Sequence, residues 1–205
     1  MKKHFLFING FLILSTLSCG GGLNLTTKAE VLDLSPIIYP HYVGVSYSSL
    51  KLLNVDNSEQ FLGKGISLKI GHRYNKHLSI EARYSKSFKV EYSSGNNILT
   101  KDNNSYPSTF SNIGFYLKPS VSIKKASIYA LLGYGRVEIT NIPQGDVNRA
   151  EIGFEWGGGV EYLVSNHISI FSDYILMYQG DGFDYLGTNN KQKADMFSIG
   201  FNYHF

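Results

Sequence analysis

After residue 40, apolar and polar side chains alternate almost one for one, and this period of two limits the fold more than any other feature of the chain. Successive side chains of an extended strand point to opposite sides, so the pattern produces strands with one apolar and one polar face, whereas a helix needs a period near 3.6. Between Gly65 and Tyr74, the residues Ile66, Leu68, Ile70, His72 and Tyr74 share one face, opposed by Gly65, Ser67, Lys69, Gly71 and Arg73. The next segment repeats it, with Leu78, Ile80, Ala82, Tyr84, Phe88, Val90 and Tyr92 against Ser79, Glu81, Arg83, Ser85, Ser87, Lys89 and Glu91. Only Lys86 interrupts the apolar set, at a height where a lysine snorkels from the edge of an apolar band. Ile152, Phe154, Trp156, Gly158, Val160 and Tyr162 alternate in the same way with Glu151, Gly153, Glu155, Gly157, Gly159 and Glu161. The last strand sets Phe197, Ile199, Phe201, Tyr203 and Phe205 against Ser198, Gly200, Asn202 and His204. His41–Asn54, Thr109–Ser120, Ala126–Thr140 and Ile168–Tyr178 complete a set of eight strands. In Ala126–Thr140 the phase blurs at Gly133-Tyr134-Gly135, where a bulge fits.

The connections alternate in length. Asn75-Lys76-His77, Pro119–Lys125 and Ser165-Asn166-His167 are short, whereas Val55–Leu62, Ser93–Ser108, Asn141–Arg149 and Gln179–Lys193 are longer and rich in Asn, Gly, Asp and Ser. Short turns on one side and long loops on the other describe an up-and-down barrel set in an outer membrane, with both termini on the periplasmic, short-turn side. A soluble barrel places its apolar residues inside. Here the polar set mixes small Gly and Ser with Lys69, Arg73, Glu81, Arg83, Lys118, Glu155, Glu161 and Asp173, while the apolar set is large and aromatic. An eight-stranded interior is only wide enough for side chains to fill it, so the large residues fit outside, against lipid.

The N-terminus supports export. Lys2 and Lys3 precede an apolar stretch from Phe5 to Leu17 that is too short for a mature transmembrane helix, and Thr27-Lys28-Ala29 suits cleavage before Glu30. The expected organisation is a signal peptide over 1–29 and one barrel domain over 30–205. Lys2, Lys3 and Lys28 account for the excess of the 19 Lys and Arg over the 16 Asp and Glu, so no basic surface for nucleic acid remains. The one cysteine, Cys19, lies in the export region, which excludes disulfides and thiol chemistry from the mature chain. Cys19 followed by Gly20-Gly21-Gly22 leaves lipidation open as a rival, although Thr16 stands three residues before it where Leu is usual.

The stretches Gly71–Tyr84, Gly157–Tyr162 and Phe197–Phe205 resemble the outer-membrane β-barrel domain shared by OmpA-like transmembrane domains and opacity-type surface proteins. That resemblance implies an all-β, eight-stranded antiparallel transmembrane barrel embedded in outer-membrane lipid. It further implies that Phe201, Tyr203 and Phe205 form the C-terminal signal read by the barrel-assembly machinery. Because the chain ends at Phe205, cell-wall anchoring through a periplasmic domain is not carried over.

On chemistry, Lys69, Arg73 and Arg83 face Glu81, Glu155, Glu161 and Asp173 across the lumen, where an ion-pair network is expected because buried charges must be paired. The sharper alternative is a gated pore whose ion pairs exchange partners. Glu155 and Glu161 share a face but stand about 20 Å apart along a strand, beyond the ~10 Å that paired acid–base catalysis requires. His167-Ile168-Ser169 bears comparison with the His-x-Ser pair of barrel lipid A deacylases, but it begins at a periplasmic turn and is duplicated at His77-Leu78-Ser79, so no catalytic residue is assigned. His41, His72, His77, His167 and His204 all map to the periplasmic end as amphipathic rim residues, with a weak divalent-metal or pH-responsive rim as the alternative. Gly180–Asp184 lacks the spacing of a calcium loop, and no cofactor or metal is assigned. The expected role is display of four extracellular loops to host or cell-surface ligands, with a small-solute channel second and a lipid A-modifying enzyme third.

Overall fold

The computed structural model describes residues 38–54, 59–94, 97–99, 109–140, 149–180 and 192–205. The expected signal peptide, Cys19, most of the long loops and the Asp181–Asp184 turn lie outside the described residues. The elements are β1 (His41–Asn54), β2 (Glu59–Asn75), β3 (Leu78–Ser94), β4 (Asn97–Leu99), β5 (Thr109–Ile123), β6 (Ala126–Thr140), β7 (Arg149–Leu163), β8 (Ile168–Gly180) and β9 (Gln192–His204). Each strand except β4 pairs antiparallel with its two neighbours, and β1 pairs with β9, so eight strands close into a barrel. Closure leaves every wall strand with a hydrogen-bonding partner on both sides, which is the condition for crossing hydrocarbon. The three-residue β4 pairs only with the end of β3.

The two faces separate as the alternation requires. Ile66, Leu68, Ile70, Ile113, Phe115, Ile152, Phe154, Trp156, Ile199 and Phe201 are exposed, whereas Ser67, Lys69, Glu81, Arg83, Glu155, Glu161 and Asp173 are buried. A water-soluble surface rarely carries apolar patches larger than a few hundred Å². This girdle surrounds the whole barrel, so the surrounding medium is lipid.

Three register shifts interrupt the ladders, one beside the β2–β3 turn between Arg73 and Asn75 and two within the wall that change the phase of the alternation. In β3, Lys64 of β2 pairs with Lys89 and Gly65 pairs with Ser87, so Phe88 is the extra residue. An extra residue in one strand turns the remainder of that strand to the other face. Val90, expected outside with Phe88, therefore packs against the interior cluster. A second shift lies between Leu176 and Tyr178 of β8. The bulge expected at Gly133-Tyr134-Gly135 is absent, because β6 pairs without interruption through these residues with both β5 and β7. Their blurred pattern has another cause. Gly133 and Gly135 stand at inward positions, and a methyl group at Gly135 would run into the Glu155 carboxylate. The strands also continue beyond the expected ends, with β5 reaching Ile123 and leaving Lys124-Lys125 as the turn. Lys124 adopts a left-handed backbone there (φ 57°).

Candidate functional site

The barrel interior holds the chemistry, and it is built in three layers. The extracellular half is apolar. Leu50 and Leu52 of β1, Phe61 of β2, Phe110 of β5, Val137 and Ile139 of β6, Met177 of β8, and Ala194 and Met196 of β9 form one buried cluster. This departs from the expected lumen of small and charged residues, and the reason lies in the inward positions of β1. They run Ser46, Ser48, Leu50, Leu52, changing from hydroxyl to leucine on one face.

The middle layer is a run of serines. The Ser48 hydroxyl lies 2.6 Å from that of Ser67 and 3.0 Å from that of Ser198, and Ser67 lies 2.6 Å from Ser85. Small hydroxyls suit this level, since each finds a partner across a strand boundary without a longer side chain filling the bore. On the opposite wall, Glu155 accepts hydrogen bonds from Asn112 Nδ2 at 2.6 Å and from the Tyr116 hydroxyl.

The periplasmic half is ionic. Arg83 is the centre of its upper part: Nη1 and Nη2 donate to Asp173 Oδ1 and Oδ2 at 2.9 and 2.8 Å, and Nε and Nη2 donate to Glu81 Oε1 at 3.1 and 2.7 Å. The planar guanidinium thus binds two carboxylates, one through a two-pronged contact, which a lysine ammonium could not reproduce. Tyr42 donates to Glu81 at 2.8 Å and Tyr129 donates to Asp173 at 2.9 Å, which supports each carboxylate against desolvation. Lys69 Nζ lies 3.6 Å from Glu81 and 3.1 Å from the centre of the Phe171 ring, so an aromatic face takes the place of a hydrogen-bond acceptor. Room for the Tyr42 ring comes from Gly71, where a methyl group would collide with it.

Glu161 is the centre of the lower part. It receives Lys118 Nζ at 3.0 Å, Arg73 Nη2 at 3.2 Å, Asn202 Nδ2 at 3.0 Å and the Ser169 hydroxyl at 2.5 Å. Lys118 also lies 3.9 Å from Glu81, joining the two parts, and 4.0 Å from the centre of the Tyr129 ring. Lys69, Arg73, Arg83 and Lys118 therefore share the interior with Glu81, Glu155, Glu161 and Asp173, and the formal charges balance. Below Lys118 and Glu161 a cavity of about 190 Å³ opens at the periplasmic end, lined by Arg73, Asn75, Lys76 and four serines, among others.

Of the seven residues expected to form the lumen network, Lys69, Arg73, Glu81, Arg83, Glu161 and Asp173 lie in these linked clusters. Glu155 stands apart with neutral donors, because its carboxylate is turned toward the space left by Gly135. Sequence reasoning did not assign Lys118 or Tyr42 to the network. Both carry a signal of parity: Lys118 shares the inward positions of β5 with Asn112, Gly114 and Tyr116, and Tyr42 shares those of β1 with Ser46 and Ser48, although tyrosine also suits the outward face.

The histidines divide. His204 was expected on the rim but is buried, its Nε2 2.9 Å from the Ser169 hydroxyl and 3.4 Å from Glu161. The inward parity of β9 (Ser198, Gly200, Asn202, His204) takes it into the lumen. Ser169, His204 and Glu161 are the residue types of a hydrolase triad, but Glu161 approaches the same imidazole nitrogen as the serine. A triad instead has its acid on the opposite nitrogen, where it orients the base. His167 and Ser169 do not meet either: His167 is half-buried, stacked on Tyr203 and in tilted contact with Tyr39, while Ser169 is buried inside. His41 and His72 face each other at the rim, with Nδ1 atoms 3.3 Å apart. Among the described residues, no group of three or more His, Cys, Asp or Glu side chains is arranged to hold a metal ion.

Residues 39–205 match the family described as outer membrane protein beta-barrel domain. The fold is similar to that of Ail, the attachment invasion locus protein of Yersinia pestis, with a TM-score of 0.53 at 14% identity over 82% of this chain and 99% of Ail. Ail is also known in complex with the heparin analogue sucrose octasulfate. Neisserial surface protein A is similar with a TM-score of 0.53 at 19% identity, over 80% of this chain and 97% of its own. OprG of Pseudomonas aeruginosa has a TM-score of 0.52 at 14% identity, over 82% and 96%. At these identities the likeness concerns the fold. No curated protein sequence matches the chain.

Proposed function

Because the chain belongs to the outer membrane protein beta-barrel domain family and resides in the outer membrane, we propose that it is a non-enzymatic, non-conducting surface barrel that holds four extracellular connections for contact with host or cell-surface ligands. One observation carries this reading. Inward side chains from the apolar cluster (Leu50, Leu131, Met196) through Ser48 and Ser85 down to Arg83 are no more than 2% exposed, and among the described residues the interior opens only below them, at the cavity beside Arg73. A water-filled bore would leave its lining accessible along its whole length, so continuous burial from Leu50 to Arg83 supports a plugged barrel over a solute channel. The interior of such a barrel serves stability, which leaves the loops to carry recognition. The buried position of Ser169 and the placement of Glu161 relative to His204 support a role without hydrolysis.

The composition of the connections narrows the ligand. The connections Val55–Leu62, Ser93–Ser108, Asn141–Arg149 and Gln179–Lys193 hold Asp56, Glu59, Asp102, Asp146, Asp181 and Asp184 against Lys101, Arg149, Lys191 and Lys193. With a small acidic excess the connections do not attract sulfated polyanions, so a ligand of the kind held by Ail suits this chain poorly. Neutral or basic surfaces suit it better. At the C-terminal strand, Phe201, Tyr203 and Phe205 all point outward, which suits recognition by the assembly machinery during insertion.

The test is single-channel recording of the folded protein in planar bilayers, paired with adhesion of cells displaying it to immobilised host glycoproteins and to heparin. Electrical silence with loop-dependent adhesion to glycoprotein, and none to heparin, is expected. Reproducible unitary conductance would replace the reading with a small-solute channel.

A further inference from the structure

We propose that His41 and His72 form a zinc site on the periplasmic rim. The two residues are directly paired across β1 and β2. The adjacent pair, Pro40 and Arg73, is the hydrogen-bonded one, with Arg73 N–H donating to the Pro40 carbonyl at 2.7 Å. His41 and His72 therefore occupy a non-hydrogen-bonded pair, the position where cross-strand side chains come closest. Their Nδ1 atoms are 3.3 Å apart. Two nitrogens bound to one zinc ion at 2.0–2.1 Å with a tetrahedral angle stand about 3.3 Å from each other, so the pair presents the spacing of one edge of a zinc tetrahedron.

The rings are held in place before any metal arrives. His41 stacks on Phe205 with centroids 5.8 Å apart and planes inclined by 29°, and His72 meets the edge of Tyr74 at 4.8 Å. A row of four rings, Phe205, His41, His72 and Tyr74, thus fixes both imidazoles, which reduces the ordering cost of binding. The pair also forms the periplasmic end of an outward groove walled by Ile70, Ile80 and Leu117, so one flank of the site is apolar. Imidazole is a preferred ligand for zinc, and with two protein ligands the remaining positions belong to water or to an oxygen donor from the membrane surface or a periplasmic partner. His204, which the sequence pattern grouped with this rim, is excluded by its place inside the barrel.

The experiment uses the full chain folded in detergent micelles, with zinc titrated by calorimetry and cobalt as a spectroscopic substitute. Wild type is expected to bind one zinc ion, and cobalt to give the intense visible absorption of a tetrahedral complex that zinc removes. Loss of a hydrogen-bond partner behind a metal ligand already weakens binding by about 10–100-fold, so His41→Ala and His72→Ala should each weaken it by at least about tenfold. His77→Ala, at the rim but outside the pair, should leave it unchanged. Equal zinc affinity in wild type, His41→Ala and His72→Ala overturns the proposal. So does a weak, octahedral cobalt spectrum in wild type, a result that does not depend on any variant folding.

Discussion

Replacing Arg83 with alanine tests the ionic half of the interior most severely. Arg83 is fully buried and makes four charge-assisted hydrogen bonds, two to Glu81 and two to Asp173. At about 1.5–3 kcal/mol each, these would sum to about 6–12 kcal/mol if they were independent, which bonds sharing one guanidinium are not. Each abandoned carboxylate also keeps support: Glu81 retains Tyr42, Lys69 and Lys118, and Asp173 retains Tyr129. The expected loss is therefore the ~3–5 kcal/mol typical of a broken buried pair. The assay is urea unfolding of the barrel in lipid vesicles, followed by the fluorescence of Trp156, the sole tryptophan. Arg83→Lys should fall between alanine and wild type, because a point charge cannot bind both carboxylates in the same geometry. Arg83→Met combined with Asp173→Leu removes one charge of each sign and should recover most of the loss. An Arg83→Ala variant within about 1 kcal/mol of wild type, or a double variant as damaged as the sum of its singles, would refute the reasoning.

Four further outcomes concern the faces and the ends of the chain. Ile70→Arg places a charge on the lipid face and should cost up to about 2–4 kcal/mol, more in a long-chain bilayer than in short-chain micelles. Ser67→Arg forces a long side chain between Ser48, Ser85 and Met196 and should cost about 1–3 kcal/mol by overpacking, equally in both media; the opposite dependence on medium would mean that the faces are reversed. Phe205→Ser should slow assembly in cells while leaving refolding into detergent unchanged, measured by pulse-chase and by the gel shift between heated and unheated samples; normal assembly in cells would remove Phe205 from the recognition signal. Intact mass of the protein purified from membranes should correspond to a chain beginning at Glu30, and a lipid-modified N-terminal Cys19 would reverse the proposed maturation.

The number of wall strands and the inward or outward direction of most side chains were legible in the sequence, because both derive from a two-residue period. Ile70 outside and Lys69 inside needed nothing but parity. The partners of the inward charges were not legible. Arg83 and Asp173 are ninety positions apart and meet only when non-adjacent strands curve toward one another, so their pairing depends on barrel curvature and tilt. The two bulges within the wall were hidden for different reasons: Phe88 sits in an unbroken alternation (Ser87-Phe88-Lys89-Val90-Glu91) that gives no sign of a change of face, and Met177 lies in the apolar run Tyr174–Tyr178, where one extra apolar residue leaves no mark. Val90 was misplaced as a result. The apolar extracellular interior did leave a trace, since Leu50 and Leu52 continue the inward parity of Ser46 and Ser48, but leucine suits both faces and the pattern alone did not separate them. His204 shows the converse, a residue whose parity placed it inside and whose chemistry suggested the rim.

The orientation of the barrel wall can be measured directly at Trp156. It is the middle residue of β7, is 52% exposed on the outward face, and stands beside Leu132 and Leu176 on the neighbouring strands. In vesicles whose acyl chains carry bromine near the bilayer centre, its fluorescence should be strongly quenched, while aqueous iodide should have little effect. Efficient quenching by iodide with no response to the brominated chains would contradict the placement of the aromatic girdle against lipid.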